Sequence, residues 1–120
     1  PTQKELIASI ERFRSLGLQV QITELDISVL PPQSQRDSAW LAQPDVYTPQ
    51  LEQQQAAQYA AVFKVFRQYK GVLTGVTFWN VSDKYTWLDR TPSAKGKKNY
   101  PLLFDSSLRP KKAYYAITDL

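Results

Sequence analysis

Two residue types that often carry catalytic or metal-binding chemistry are missing from this 120-residue chain, which contains no histidine and no cysteine. The absence of cysteine excludes disulfides and thiolate metal sites. The absence of histidine removes the commonest general base and metal ligand. Acid–base chemistry supplied by this chain must therefore come from carboxylates, and no residue pattern indicates a metal or an organic cofactor.

Methionine and long apolar runs are also missing. No apolar stretch approaches the roughly 18 residues of a membrane-spanning helix, so we expect no membrane association. The chain starts at Pro1 and shows no signal-type segment. We therefore expect the sequence to be a processed product or a piece of something longer.

The charge balance is basic but not concentrated. The net charge is +4 and the pI about 9.4, values that can indicate an acidic partner such as nucleic acid. The basic residues are scattered, however, and their one dense cluster, Lys95, Lys97 and Lys98, is typical of a solvated loop tip. We expect this loop tip rather than a phosphate-binding patch, and no nucleic acid partner. The length and the ordinary composition fit one domain.

The first part of the chain predicts a helix followed by a strand. Thr2 and Glu5 form a capping box, apolar residues follow at helical spacing, and Gly17 stands where a helix C-terminal glycine belongs. A strand is predicted from about 18 to 29. The stretch from 30 to 47 is rich in proline and glutamine and has neither helical nor strand periodicity.

The second part predicts a helix, a strand and a terminal helix. Thr48 is the expected N-cap of a long helix that ends before Gly71. The run "VLTGVTFWNVSD" (72 to 83) is rich in β-branched and aromatic residues and predicts a strand. The terminal helix begins near Pro110.

This order predicts an α/β fold with a parallel sheet. Two strands joined through a long helix favour a right-handed crossover. Two parallel strands alone do not form a stable sheet that is covered on both faces. A small α/β domain and the last segments of a larger repeating barrel both remain possible, and the missing start favours the barrel.

Two acids, Glu24 and Asp26, interrupt the apolar strand pattern "QVQITELDISVL" (19 to 30). A buried charge without a partner is costly, so acids inside a strand need a reason. Alternation predicts one face with Val20, Ile22, Glu24 and Asp26 and the opposite face with Leu25 and Ile27.

In a (βα)₈ barrel, inward side chains near the carboxyl end of a strand line the active-site mouth. Glu24 is late in its strand, and Trp79 is late in the second strand on the face that Thr77 shares. A carboxylate beside an indole suggests sugar chemistry, because a carboxylate can stabilise or attack an oxocarbenium-like centre. The alternative is that Glu24 is a salt-bridged acid near a strand end.

Three motifs carry a family resemblance. The segment "ITELDI" (22 to 27) resembles the nucleophile signature of the family 10 glycoside hydrolases, which are endo-β-1,4-xylanases built on a (βα)₈ barrel. "GVTFWNVSDKYTWL" (75 to 88) resembles the eighth-strand motif of that family, and "PLLFDSSLRPKKAYYAI" (101 to 117) is similar to its closing segment. The three motifs follow the family's order and cover most of the chain.

The resemblance implies roles for four residues. Glu24 matches the nucleophile of a retaining mechanism, and Asp26 matches the acid that orients a histidine, which here lies outside this chain. Trp79 and Trp87 match the aromatics that line the sugar subsites, although either tryptophan could instead be a packing residue. Asn80 stands where the family often has glycine, a departure expected to alter a loop contact.

The resemblance also implies what the chain is part of. Residues 1–120 would be the C-terminal segment of one catalytic TIM barrel: helix 6, strand 7, helix 7, strand 8 and helix 8. The family's acid/base glutamate, in an asparagine–glutamate pair, is absent, so the missing N-terminal part of the barrel is an expected partner and the segment alone should be inactive. The implied substrate is xylan or a xylo-oligosaccharide, and the implied location is secreted or periplasmic.

Two other functions remain open. The chain could come from a related retaining barrel glycanase, such as a cellulase or mannanase, or from a non-catalytic module that binds carbohydrate or nucleic acid on the same scaffold. Further candidate contacts are Trp40 and Tyr47, which could touch distant sugar subsites or pack over the rim. Side chains that could bind sugar hydroxyls are Asp83, Lys84, Tyr85 and Arg90.

Overall fold

The computed structural model describes residues 2–119 and contains four α-helices and two strands in that range. In chain order these are α1 (Gln3–Ser15), β1 (Val20–Leu25), α2 (Ser38–Leu41), α3 (Pro49–Gln68), β2 (Leu73–Phe78) and α4 (Lys112–Thr118). The predicted order of helices and strands is confirmed. The single-turn α2 lies inside the stretch for which no regular structure was predicted.

The predicted helix starts are confirmed by their caps. Thr2 Oγ1 accepts a hydrogen bond from Glu5 N at 3.2 Å, and a Glu5 carboxylate oxygen accepts one from Thr2 N at 2.7 Å. At α3, Thr48 Oγ1 accepts from Leu51 N at 3.2 Å. Each bond satisfies a backbone N–H group that the first helical turn leaves without a partner. Gly17, just past α1, has the positive φ of 72° that favours glycine.

The two strands pair in parallel, as predicted. Helices α3 and α4 pack over one face of the sheet. The core between them contains the buried side chains of Tyr59, Leu103, Ala113 and Ile117, against which Leu25, Ile27 and Phe78 pack. No helix within residues 2–119 is both long enough and apolar enough to span a membrane.

The pairing register contains an irregularity beside Glu24. Ile22 pairs with Val76 and Leu25 with Phe78, so β1 advances three residues while β2 advances two. This inserts one extra residue into β1, a β-bulge, and the consecutive residues Thr23 and Glu24 are both exposed.

The bulge changes which residues share a face. Cross-strand partners lie on the same face, so Ile22 joins Leu25 on the side that the helices cover. The prediction that Ile22 shares a face with Glu24 is therefore wrong. Glu24 and Asp26 still point to the same side, away from the helices, because the alternation resumes at Leu25.

Both strands are shorter than predicted. After Leu25 the chain remains extended but leaves β2 and pairs with a different segment: Ile27 N donates to Pro101 O at 3.2 Å, and Val29 N donates to Asn99 O at 3.0 Å. The alternating pattern that continues to Val29 therefore reflects pairing with the segment before α4. This pairing fixes the backbone of the residues that follow Asp26.

Candidate active site

The predicted site residues lie at the carboxyl ends of the two parallel strands. Glu24 and Asp26 flank Leu25 in the chain, and Thr77 and Trp79 flank its partner Phe78. The register therefore brings the two acids and Trp79 to the same end of the sheet. The Glu24 side chain is exposed, and its negative charge acts on Asp26.

Asp26 has a specific partner. The indole Nε1 of Trp87 donates a hydrogen bond to Asp26 Oδ2 at 3.2 Å. Burial raises the pKa of Asp26 above its ordinary value, the Trp87 N–H bond opposes that rise, and the charge of Glu24 adds to it. The structure thus joins two residues that the sequence placed in one site and that are 61 positions apart.

The two tryptophans present part of their rings to solvent. Trp79 is 51% exposed and Trp87 is 45% exposed. Trp79 borders a hollow of about 510 Å³ that Phe78, Val81 and Phe104 also line. Half-exposed indole rings beside an exposed carboxylate can stack on the apolar face of a sugar.

Asn80 shapes the loop after β2. Its side-chain Oδ1 accepts from Val81 N at 2.8 Å, and its Nδ2 donates to Tyr85 O at 3.0 Å. Asn80 thus makes loop contacts that a glycine could not make, and the prediction that it alters a contact of the family stays a prediction. These two hydrogen bonds fix the path of the chain between Trp79 and Trp87.

A buried glutamine that the sequence analysis missed binds the backbone of the residue after Asp26. Gln55 on α3 is 1% exposed, and its Nε2 donates to Ile27 O at 2.8 Å and to Tyr100 O at 2.5 Å. Its Oε1 accepts from Tyr47 Oη–H at 2.7 Å. The sequence contains a signal for this role: Gln55 lies beside Ala56 on the apolar face of a helix, where a polar side chain needs hydrogen-bond partners.

Tyr47 is half-buried and packs against Tyr100. Its ring stacks on that of Tyr100 with centroids 5.0 Å apart, and its hydroxyl is bound to Gln55. These contacts favour the packing role over a sugar subsite. The ring of Trp40 makes two cation–π contacts: Lys97 Nζ lies 4.7 Å and Arg36 Cζ 5.8 Å from its centroid.

Asp83 is not available to a sugar. Its side chain is buried, Oδ2 lies 2.9 Å from Lys111 Nζ, and Oδ1 accepts from Leu102 N at 2.8 Å. Its proposed contact with sugar hydroxyls is therefore wrong, because the carboxylate is already paired. Lys84, Tyr85 and Arg90 are exposed, and their sugar contacts remain predictions.

Of the three lysines that were expected to form a solvated loop tip, Lys97 is buried. Lys97 is 8% exposed, and its Nζ donates to Trp40 O at 2.9 Å and to Gln43 O at 2.6 Å. The expectation of a solvated loop is wrong for Lys97, which binds the loop that follows β1. Lys95 and Lys98 are exposed, as expected.

The chemistry of the site is that of carboxylates and aromatic rings. Among residues 2–119 no three acidic side chains converge into a group that could hold a metal ion. An exposed carboxylate at a strand end can attack or stabilise an oxocarbenium-like carbon, and adjacent indoles can orient the sugar ring.

Comparison with known proteins identifies the family. The model described as "Glycosyl hydrolase family 10" matches residues 1–120. A "Beta-1,4-xylanase" of Dictyoglomus thermophilum is 45% identical over 117 residues, covering 98% of this chain and 32% of the relative. The crystal structure of xylanase XynB from Paenibacillus barcinonensis, complexed with a conduramine derivative, matches with a TM-score of 0.81 and 41% identity, covering 98% of this chain and 34% of that one.

A second structure, of a mutant in complex with xylotriose, matches with a TM-score of 0.83 and 45% identity, again covering 98% of this chain and 34% of that one. The chain thus spans about a third of the length of the relatives it matches. A family model that covers the whole chain, with relatives above 40% identity, is decisive. The chain belongs to glycosyl hydrolase family 10, whose fold is the (βα)₈ TIM barrel.

Proposed function

We propose that residues 1–120 form the C-terminal third of an endo-β-1,4-xylanase barrel. In this assignment α1 is helix 6, β1 is strand 7, α3 is helix 7, β2 is strand 8 and α4 is helix 8. The three sequence motifs and their order support the assignment, as does the parallel β1–α3–β2 unit. The rest of the barrel supplies the remaining strands and the second catalytic carboxyl group.

The proposed reaction is hydrolysis of internal β-1,4-xylosidic bonds with retention of configuration. The Glu24 carboxylate attacks the anomeric carbon while a carboxylic acid elsewhere in the barrel protonates the leaving oxygen. The resulting glycosyl–enzyme ester is then hydrolysed by water, which that second carboxylate activates. The exposure of Glu24 at the carboxyl end of its strand supports this role most directly.

Asp26 is proposed to orient a histidine that lies outside this chain. Its Oδ2 is bound to Trp87, whereas Oδ1 accepts no hydrogen bond from residues 2–119. A carboxylate with one oxygen fixed and the other open can bind a second donor in a defined direction.

Xylan or a xylo-oligosaccharide is the proposed substrate, with Trp79 and Trp87 as platforms for sugar rings. The names of the relatives and the xylotriose complex support this substrate class. Because xylan is a large polymer, the enzyme is proposed to act outside the cytoplasm, as a secreted or periplasmic protein.

Replacement of Glu24 tests the proposal. In the complete barrel enzyme, Glu24→Gln should remove xylan hydrolysis almost entirely, since up to roughly 8 kcal/mol of transition-state stabilisation depends on the chemistry of such a site. Glu11→Gln, on the surface of α1, serves as the control and should leave the rate unchanged. A fluorosugar inactivator should label Glu24, as peptide mass spectrometry can show.

The stereochemical course gives an independent test. NMR of the first-formed product should show the β-anomer, and the second carboxyl group should lie about 5 to 5.5 Å from Glu24. An α-anomer or near-normal activity of Glu24→Gln would refute the nucleophile role. Faster hydrolysis of carboxymethyl cellulose or mannan than of xylan would instead assign a related glycanase.

A further inference from the structure

The two tryptophans of the site differ in what their indole N–H groups do. Trp87 donates to Asp26 Oδ2 at 3.2 Å, whereas the indole of Trp79 makes no hydrogen bond within residues 2–119. Both rings are about half exposed. An aromatic platform for a sugar needs only its ring face, so the N–H bond of Trp87 requires a separate explanation.

The backbone around Trp87 is held firmly. Arg90 N donates to Trp87 O at 3.0 Å, and Leu88 N donates to the hydroxyl of buried Thr86 at 3.2 Å. In the same turn, Asp89 Oδ1 accepts from the backbone N of Asn99 at 2.7 Å. Because Asn99 also accepts from Val29 N through its carbonyl oxygen, the Trp87 turn is connected to the segment that follows Asp26.

We propose that Trp87 is a positioning residue, whose indole N–H holds the Asp26 carboxylate in one orientation beside Glu24 while its ring remains open to the sugar. The inference rests on the proposed function of Glu24 and Asp26. A hydrogen bond to a charged acceptor is short, directional and stronger than a neutral one. The Trp87 bond therefore fixes the position of Asp26 Oδ2 and, with it, the direction in which Asp26 Oδ1 points.

The N–H bond also favours the ionised form of Asp26. Of the titratable groups around Asp26, Glu24 points to the same side of the chain, and Tyr59 lies on α3, on the opposite side of the sheet. The Trp87 N–H group opposes the effects of burial and of the Glu24 charge on the pKa of Asp26. Burial raises the pKa of Tyr59, which favours its neutral form. Removal of the N–H group should therefore raise the pKa of Asp26 further.

Two conservative variants in the complete barrel enzyme separate this role from sugar stacking. Trp87→Phe keeps an aromatic ring and loses the donor, so kcat should fall about tenfold, the equivalent of one charged hydrogen bond. The acidic limb of the pH profile of kcat/KM should move to higher pH. Trp79→Phe is the matched control: the Trp79 indole donates no hydrogen bond to residues 2–119, so KM should rise while the acidic limb stays in place.

A benzothiophene analogue of tryptophan at position 87 refines the test. It keeps the bicyclic ring and replaces only the N–H group, so it should reproduce the shifted acidic limb with a nearly normal KM. An unchanged limb and kcat in both the phenylalanine and the analogue variants would overturn the inference. If Glu24→Gln is inactive in the same series, only the role of Trp87 has failed; if Glu24→Gln remains active, the proposed function has failed.

Discussion

Lys111 Nζ lies 2.9 Å from Asp83 Oδ2 inside the protein, and the two side chains are only 3% and 6% exposed. Lys111 Nζ also donates to Tyr100 O at 2.8 Å and to Leu102 O at 2.7 Å. Burial is the largest influence on both groups, because it raises the pKa of Asp83 and lowers that of Lys111. The pair connects the loop after β2 with the segment before α4.

Removal of Lys111 alone should be more damaging than removal of both charges of this pair. Lys111→Met leaves the Asp83 carboxylate buried without a counter-charge, which should reduce the free energy of unfolding by about 3–5 kcal/mol. The double variant Lys111→Met, Asp83→Asn should recover part of that loss. Urea unfolding of the complete barrel enzyme measures both, and a single variant with the wild-type midpoint would contradict the prediction.

Gln55 is the second buried polar group on which the site depends. Gln55→Leu leaves Ile27 O and the Tyr47 hydroxyl without their partner and removes one of the two hydrogen bonds that Tyr100 O accepts, so we expect a loss of about 3 kcal/mol in the free energy of unfolding. Gln53→Leu, at an exposed position of the same helix, is the control and should change stability by no more than about 0.5 kcal/mol. Equal midpoints for the two variants in urea would exclude the role of Gln55.

Local signals in the sequence predicted most of the fold. Capping residues, a helix-ending glycine and apolar spacing specify α1 and α3 without any tertiary information. The parallel pairing followed from the long helix between the strands. The bulge at Glu24 was missed, although the sequence carries a signal for it: the consecutive polar residues Thr23 and Glu24 interrupt the apolar alternation between Ile22 and Leu25.

The candidate site was predictable only in part. Glu24, Asp26, Trp79 and Trp87 follow from the motifs, but the bond between Trp87 and Asp26 depends on how a distant loop folds back. Aspartate is a residue type that often binds sugar hydroxyls, and lysine is one that is usually solvated in a loop, so Asp83 and Lys97 were assigned those roles. Only their tertiary partners reveal that they are buried and structural.

Lys97 should restrain the loop that follows β1. Its ammonium group binds Trp40 O and Gln43 O, so Lys97→Met frees this loop. If the two bonds together contribute about 1.4 kcal/mol, limited proteolysis between 30 and 47 should become about tenfold faster, since cleavage follows the population of the open form. Lys98→Met, which removes an exposed side chain, is the control. Equal cleavage rates for both variants would show that Lys97 does not restrain the loop.

Asp105 should make the turn before α4 sensitive to acid. Its Oδ1 accepts from Arg109 N at 3.0 Å and Ser107 N at 2.8 Å, and the bond from Arg109 N is the largest cause of its lowered pKa. The folded pKa lies below the ordinary value of 3.8, so the bonds stabilise the protein above that pH and lose their effect as pH falls through the folded pKa. Asp105→Ala should therefore lower the melting temperature at pH 7 and cost progressively less below pH of about 4. A pH-independent difference would contradict this explanation.

Residues 1–120 expressed alone should neither catalyse hydrolysis nor remain a folded monomer. The sheet within residues 2–119 has two strands, so each strand has one edge without a partner, and unpaired strand edges invite association. Large apolar side chains are also exposed, including Leu16 at 72%, Val81 at 63% and Leu18 at 51%. A soluble monomer rarely exposes a contiguous apolar patch larger than a few hundred Å².

The chemistry of this isolated segment should be incomplete as well. A nucleophile without a general acid cannot expel the leaving sugar efficiently, so no xylan hydrolysis is expected even where Glu24 is accessible. Sedimentation equilibrium and a reducing-sugar assay on the 120-residue polypeptide measure both properties. Addition of the preceding part of the barrel as a separate polypeptide should reduce self-association and restore activity, and the same mixture with Glu24→Gln should stay inactive. A monomeric, cooperatively folding and active segment would show instead that these residues form a self-sufficient domain.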